Sequence, residues 1–347
     1  GKEQLKNKLD SLFEHDETFN TFFSIRKHSF WKAIKPNFVK LCKKRVLEAV
    51  QEIEMSDEVI KNSGASSIIV LSENGFNEQI ILQLAKKHNI DVLLLQHGMY
   101  LETLELKESN IFLGGDFPIL SSKFLTWGTH TKNYAKKCGF SKKTHVIGSP
   151  AHDTLFKNNS DNSLVNDGFI LLATSSPQQN QLFDLTINNL EVYEKTIKDV
   201  CKIAAKLKKQ LIIKLHPFQE EQDIKKMVAG LGEQITLTNR GNIEDLIKSC
   251  DIFLVNDFST TMLDAMIIGK PVIAIQTKNR HMKEKPKIFT TGCCVECNIN
   301  TLEKEIKEIL DTNKRERMIE NGNEYVKKFV SNQGNSSEKL LELLSSN

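Results

Sequence analysis

Short runs of β-branched and aliphatic residues recur along this chain, each separated from the next by a stretch with helical spacing. This alternation limits the fold more than any other feature. The first series is 66–72 (SSIIVLS), 91–96 (DVLLLQ), 123–128 (KFLTWG) and 145–148 (HVIG). The second is 169–174 (FILLAT), 210–215 (QLIIKL), 234–238 (QITLT), 251–256 (DIFLVN) and 271–275 (PVIAI). Runs that are apolar throughout, rather than alternating, belong to parallel strands buried on both faces. Helical spacing at 78–88, through Cys138, and at 190–208, 221–229, 243–250 and 260–269 supplies the crossovers of right-handed βαβ units. The chain is therefore expected to be α/β, with two Rossmann-like domains whose parallel sheets face each other across a cleft.

The expected organisation is a helical, basic segment over 1–62, with one long helix near 37–61, and a first domain over 63–155. A polar Asn/Asp-rich linker follows at 156–168, then a second domain over 169–330 and a C-terminal helix within 331–347. Further helical stretches fall at 301–312, 314–330 and 336–345. In open α/β sheets ligands bind beyond the carboxyl ends of the strands, so the residues just after each run carry the functional information. The first domain is short of strands, and Gly1 stands where Met is usual; the chain is expected to be a piece of a longer protein.

Hydrophobic residues make up 39% of the 347 and charged residues 26%, with a net charge of +3, too mild to point to nucleic acid. Seven scattered cysteines, an odd number, argue against a disulfide framework and for a reducing, cytoplasmic compartment. The cluster Cys293-Cys294-Val295-Glu296-Cys297 lacks a second Cys/His pair at ligand spacing. It reads as small half-buried residues around a strand rather than a zinc site. No Asp-x-Asp or His/Asp cluster suggests a bound divalent ion, so no metal is expected. No apolar run is long enough to span a bilayer, and no signal-peptide pattern opens the chain.

Between Glu17 and Glu48 there is no acidic residue, while Arg26, Lys27, Lys32, Lys35, Lys40, Lys43, Lys44 and Arg45 alternate with Phe22, Phe23, Phe30, Trp31 and Phe38. Such a mixture over 18–47 suits either an anionic membrane surface, with the protein peripheral on its cytoplasmic face, or a solvated basic helix whose apolar side faces the core.

Four segments after strands carry candidate chemistry. In 255–275 (VNDFSTTMLDAMIIGKPVIAI) a strand ends and Ser259, Thr260 and Thr261 open a helix. Its free N–H groups and partial positive charge suit a phosphate, although Ser and Thr are also plain N-caps. In 214–221 (KLHPFQEE) a strand delivers His216 to the cleft edge. In 93–102 (LLLQHGMYLE) a strand ends at Gln96, His97 and Gly98, where glycine admits close backbone approach and an imidazole suits general-base work near neutrality. In 72–79 (SENGFNEQ), Glu73 and Gly75 follow the first strand, and Glu73 competes with His97 as the base. Ser175, after the first strand of the second domain, is a weaker phosphate candidate.

These segments resemble GT-B glycosyltransferases. The His-Pro at 216–217 with the downstream Ser/Thr group is similar to bacterial sialyltransferases, capsule polymerases and teichoic-acid glycerophosphotransferases of the CDP-glycerol type. Gln96-His97-Gly98 resembles the His-Gly segment of the last two. Glu73-Asn74-Gly75 resembles the acidic motif of the sialyltransferases, with Asn in place of the second acid. More distantly, 146–155 (VIGSPAHDTL) resembles the inter-domain segment of non-hydrolysing UDP-GlcNAc 2-epimerases, whose His-x-Glu-Ala-Gly segment is absent here.

The resemblance implies a metal-independent transferase that moves a sugar or polyol-phosphate from a CMP-, CDP- or UDP-linked donor to a glycan or lipid-linked acceptor in surface-polysaccharide synthesis. It implies no cofactor besides the donor substrate. His216, Ser259, Thr260, Thr261 and Ser175 would contact the donor phosphates, and Asp264 and Asn242 the ribose and nucleotide. His97 or Glu73 would be the base, with Gly75, Gln96 and Gly98 on the acceptor side. A single base fits inverting chemistry by analogy with the family. A nucleotide-sugar epimerase and a non-catalytic nucleotide- or glycan-binding module remain the alternatives.

Overall fold

A computed structural model describes residues 2–158, 168–174, 189–217, 221–277, 283–310 and 312–345. The N-terminal segment is helical with a small hairpin set into it. It comprises α1 (Lys2–Glu14), α2 (Asp16–Phe22), β1 (Ser24–Ile25), β2 (His28–Ser29) and α3 (Trp31–Ser63). The last of these starts ahead of the expected position and runs through Pro36, which removes a backbone donor near its beginning. Trp31, fully buried, anchors the extra turn.

The first sheet is formed by β3 (Ser67–Val70), β4 (Asp91–Leu95), β5 (Lys123–Thr126) and β6 (Thr144–Val146), all parallel and in chain order. Helices α4 (Phe76–Lys87) and α5 (Thr129–Lys137) make crossovers, and α6 (Asp153–Asn158) leads away from the sheet. Residues 159–167, most of the expected linker, lie outside the described residues.

The second sheet contains β7 (Phe169–Ala173), β8 (Gln210–Lys214), β9 (Ile235–Thr238), β10 (Ile252–Asn256), β11 (Val272–Ile275) and β12 (Val295–Cys297). Helices α7 (Asn189–Lys206), α8 (Glu221–Val228), α9 (Ile243–Ser249) and α10 (Thr261–Ile268) connect them. The spatial order is β12-β11-β10-β7-β8-β9, with every neighbouring pair parallel. From β7 the chain winds outward through β8 and β9, then returns to the other side of β7 and winds out through β10, β11 and β12. The reversal lies between β7 and β10, and such a switch point opens a crevice at the strands' carboxyl ends.

All five residues of β7 and all five of β10 are buried. Phe253 and Val255 point into one core with Met262 and Met266 of α10, while Ile252 and Leu254 point into the other with Ile197 and Val200 of α7. Two-sided burial explains why these strands read as unbroken apolar runs.

After β12 come α11 (Ile299–Leu310), α12 (Thr312–Phe329) and α13 (Ser336–Ser345). The last returns to the first sheet, where Leu340, Leu343 and Leu344 pack on Leu93, Leu125 and Ile147. Asp153 fixes its start, with both carboxylate oxygens accepting from the N–H groups of Ser336 (2.9 Å) and Ser337 (2.7 Å). Burial pushes the Asp153 carboxyl up, but the hydrogen bonds from Ser337 and Ser336 outweigh it and hold it below its usual range. Gly128, at the start of α5, lies so close to the end of α12 that a Cβ there would come within 2.2 Å of the Phe329 carbonyl oxygen. The nine expected strands are all present within a few residues of their predicted bounds. The β1–β2 hairpin, α6, a π-turn at Ser109–Leu113 and the order of the sheets were not legible beforehand.

Candidate functional site

The second sheet sets three loops side by side. β10 ends at Asn256, whose buried amide finds no hydrogen-bond partner among the described residues, a recurrent mark of a polar site at a strand end. Asp257 then turns the chain with φ 59°, a conformation that disfavours a side chain, and Thr277 holds it there by donating its N–H (3.0 Å) and pairing its hydroxyl with the carboxylate. This turn delivers Ser259, Thr260 and Thr261 to the start of α10. Ser259 Oγ caps the helix, accepting from the Thr261 N–H and lying 2.9 Å from the Thr261 hydroxyl.

His216 follows β8, and β7 lies between β8 and β10. The imidazole loop and the hydroxyl-tipped helix therefore stand about two strand spacings, roughly 10 Å, apart on the same edge of the sheet. The His216 N–H donates to Thr174 Oγ1 at the end of β7 (3.1 Å), which ties neighbouring strand ends together. Half-burial lowers the His216 imidazole below its ordinary value, favouring the neutral ring at pH 7. Ser175 lies outside the described residues.

Asp264, on the first turns of α10, accepts from His152 Nε2 (3.0 Å), and Nδ1 of the same ring lies 2.6 Å from Ser149 Oγ. The pattern assigns Nε2 as the protonated nitrogen and Nδ1 as the acceptor. His152 is buried against Trp127, with ring centroids 5.1 Å apart. A hydrogen-bonded relay thus joins α10 to the end of the first sheet. The sequence 146–155 drew attention for its resemblance, but nothing in it singled out His152 as the partner of Asp264. Asn242 is the N-cap of α9, its Oδ1 accepting from the Glu244 N–H (3.1 Å).

From the first sheet, β4 delivers Gln96, His97 and Gly98. Within 96–100 only His97 is exposed. The Met99 N–H donates to Thr260 Oγ1 (3.1 Å), and a Cβ on Gly98 would lie 3.2 Å from the same oxygen, so the loop after β4 rests directly on the start of α10. A second bridge is made by the Glu105 carboxylate, which accepts from the Lys283 N–H (3.0 Å).

Two expected site residues have other tasks. Glu73 is buried, and its carboxylate accepts from the N–H groups of Leu120 (2.9 Å) and Ser121 (2.8 Å), pinning the loop ahead of β5. A carboxylate with both oxygens committed to backbone is not placed to take an acceptor proton, which corrects its expectation as a base. Gln96 is also buried and spent. Its Nε2 donates to the Gly98 carbonyl (2.9 Å), and its Oε1 accepts from the Trp127 N–H (2.8 Å). It shapes the His97 loop from behind rather than facing an acceptor. Gly75 serves as the N-cap of α4.

No motif pointed to Asp116. The π-turn Ser109–Leu113 and Gly114-Gly115 carry it back to the mouth of β4, where its Oδ1 lies 4.0 Å from His97 Nδ1. Burial raises its carboxyl to about 6, partly opposed by His97. The pairing was hidden because 18 residues of irregular chain and short turns separate the two partners. Among the described residues no three His, Cys, Asp or Glu side chains cluster as metal ligands.

Two parallel α/β sheets, with loops from their carboxyl ends meeting at the contact of Met99 with Thr260, define a GT-B-type fold. Solved structures bear out the fold. S. aureus MnaA bound to UDP superposes with a TM-score of 0.63 at 16% identity, over 85% of this chain and 80% of that one. A Neisseria meningitidis UDP-GlcNAc 2-epimerase bound to UDP-GlcNAc gives 0.61 at 17%, over 86% and 81%. Anabaena Alr3699/HepE in complex with UDP-glucose gives 0.51 at 14%, over 86% and 82%. The chain itself belongs to the LIC12162 family of transferases, whose model matches residues 2–285. No curated protein sequence matches it. Among the described residues no helix is long and apolar enough to cross a membrane.

Proposed function

We propose that this transferase moves a sugar or polyol-phosphate from a nucleotide-activated donor, held at the β7–β10 switch point, to a hydroxyl of a glycan or lipid-linked acceptor. The observation that carries the reading is the contact of Met99 and Gly98 with Thr260. It sets the exposed imidazole of the first sheet beside the helix start that suits a phosphate. His216 and the hydroxyls of Ser259, Thr260 and Thr261 donate to the diphosphate as it gains charge on bond cleavage, together with the N–H groups of α10. Asp264, held by His152, meets the ribose, and the loop around Asn242 meets the base. His97 takes the proton of the attacking hydroxyl, and Asp116 orients the ring and stabilises the imidazolium that forms. One base on the acceptor side fits inversion. The UDP and UDP-sugars in the neighbouring structures support a uridine donor among the CMP-, CDP- and UDP-linked candidates.

The test combines binding with turnover. A nucleotide that binds only the native state raises its melting temperature, so UDP, CDP or CMP at saturating concentration is expected to shift the transition upward. His97→Ala should keep that shift and lose turnover about 10²–10⁴-fold. Absence of a shift with every nucleotide would sink the donor site, and conversion of a nucleotide sugar without acceptor would make the protein an epimerase.

A further inference from the structure

The basic, aromatic stretch 18–47 separates in three dimensions into a sealed part and a projecting part. In the sealed part, Trp31 is fully buried between Phe19 and Phe23, stacked at centroid distances of 4.5 and 5.3 Å, with Phe38 edge-on at 5.6 Å. Its indole N–H donates to Asp16 Oδ1 (2.6 Å), which also pairs with Lys35 (2.7 Å). Lys43 is paired with Asp10, and Lys44 and Arg45 with Glu48. These groups form a small core and its ionic rim.

The projecting part is the β1–β2 hairpin. Ser24 pairs with Ser29 and Ile25 with His28, leaving a two-residue turn with Arg26 at φ 49° and Lys27 at φ 71°. Both central residues of such a turn take positive φ, and Asn-Gly is the usual solution. Here two long cationic side chains occupy it. The aromatic stack holds them there, with the Phe30 N–H closing on the Phe23 carbonyl (2.9 Å). Every residue from 24 to 30 is exposed. The tip carries Phe22 (79% exposed), Ile25 (67%) and Phe30 (40%) among Arg26, Lys27, His28 and Lys32. Arg26, Lys27 and Lys32 form no ion pair with any described residue. Of the chain's 44 acidic side chains none falls in 18–47, against eight of its 47 basic ones.

We propose that this hairpin is a docking tip for an anionic lipid surface. Phe22, Ile25 and Phe30 enter the boundary between headgroups and acyl chains, while Arg26, Lys27 and Lys32 hold anionic headgroups. The shape favours lipid over protein: the tip is convex, and its apolar side chains need a soft apolar medium rather than a preformed groove. A second copy is disfavoured because symmetric pairing of this face would set cation against cation. The proposal adds a surface to the transferase reading, placing the chain where a lipid-linked acceptor lies, but the binding itself does not depend on that reading.

The test is co-sedimentation of the full chain with two kinds of vesicle, one of phosphatidylcholine alone and one with a third phosphatidylglycerol. The chain is expected to pellet with the second only, and to be released as added salt shortens the screening length. Each basic residue near such a surface contributes about fivefold, so the Arg26→Gln/Lys27→Gln double variant should bind about 25-fold more weakly. Phe22→Ser/Ile25→Ser should also weaken binding and keep its salt sensitivity. All four positions are exposed, and the fluorescence of buried Trp31 reports whether the variants keep the fold. Equal binding to both vesicles, no binding to either, or wild-type binding by the Gln variant would overturn the proposal. The nucleotide-induced melting shift should be unchanged in every tip variant, so a failed tip leaves the donor site standing and a failed donor site leaves the tip.

Discussion

The two sheets follow one parallel plan and are finished differently. In the second, the central strands β7 and β10 are buried along their whole length, with a core on each face. In the first, β3 is an edge strand with Ile69 38% exposed, and Leu71 just beyond it is 54% exposed. The loops that follow the second sheet are fastened by neighbouring strands, as Thr277 fastens Asp257 and Thr174 fastens His216. In the first sheet Gln96 is fastened in the same way by Trp127, one residue past the neighbouring β5, whereas Glu73 is held by irregular chain at Leu120 and Ser121. One half is built around two strands buried along their whole length. The other has an exposed edge at β3, presents the exposed His97, and leans on the first through Thr260 and on the returning helix α13.

The largest effect that tests this contrast is core truncation in the second sheet. Leu172 is fully buried in β7, so Leu172→Ala is expected to cost about 2–5 kcal/mol by lost burial and an unfilled cavity, read from urea denaturation. A cost near zero would mean that β7 is not buried on both faces.

Asp116→Asn probes the base proposed on the first sheet, His97. Turnover is expected to fall about 10–100-fold, since the amide still fills the space but no longer stabilises a charged ring. Stability should move the other way. The folded carboxyl, raised to about 6 by burial, lies above its ordinary 3.8, so the native state binds more protons than the unfolded chain between those values. The wild type therefore loses stability as pH rises through that window, with His97 and Tyr100 the titratable groups facing the carboxylate. The variant should match the wild type at pH 4 and exceed it by about 1–3 kcal/mol at pH 7. Equal stability at both pH values would remove Asp116 from the buried position assigned to it.

Much of this was legible in the chain, and the division follows physics. Two-sided burial writes itself as unbroken apolar runs, so β7, β10 and β11 could be read directly, and the half-buried β8 through its run Leu211-Ile212-Ile213, and the residues just past them fell on the edge of the candidate site. Pairings between distant polar groups leave no local pattern. His152 reaching Asp264 across 112 positions, and Asp116 reaching His97 after a π-turn, needed coordinates. Glu73 and Gln96 misled because their positions after strands suit catalysis and loop bracing equally. Only the hydrogen bonds from Leu120, Ser121 and Trp127 decide between the two. The basic stretch 18–47 misled by half. Its alternation of charge and ring mixes a small core with a free tip, and nothing in the composition says which Phe goes where.

The smallest effect is expected at the open edge. Ile69 sits on β3 with over a third of its surface in water and only β4 beside its strand. Ile69→Lys places a charge where no core receives it, and the long side chain can lay its methylenes along the sheet and keep its ammonium in solvent. Stability should stay within about 0.5 kcal/mol of the wild type, as for surface positions generally. The same edge presents unpaired backbone groups, so a lysine there should also reduce self-association at high concentration. A loss of several kcal/mol, measured by urea denaturation beside Leu172→Ala, would mean that the first sheet is covered along this strand and that the contrast between the two halves is not real.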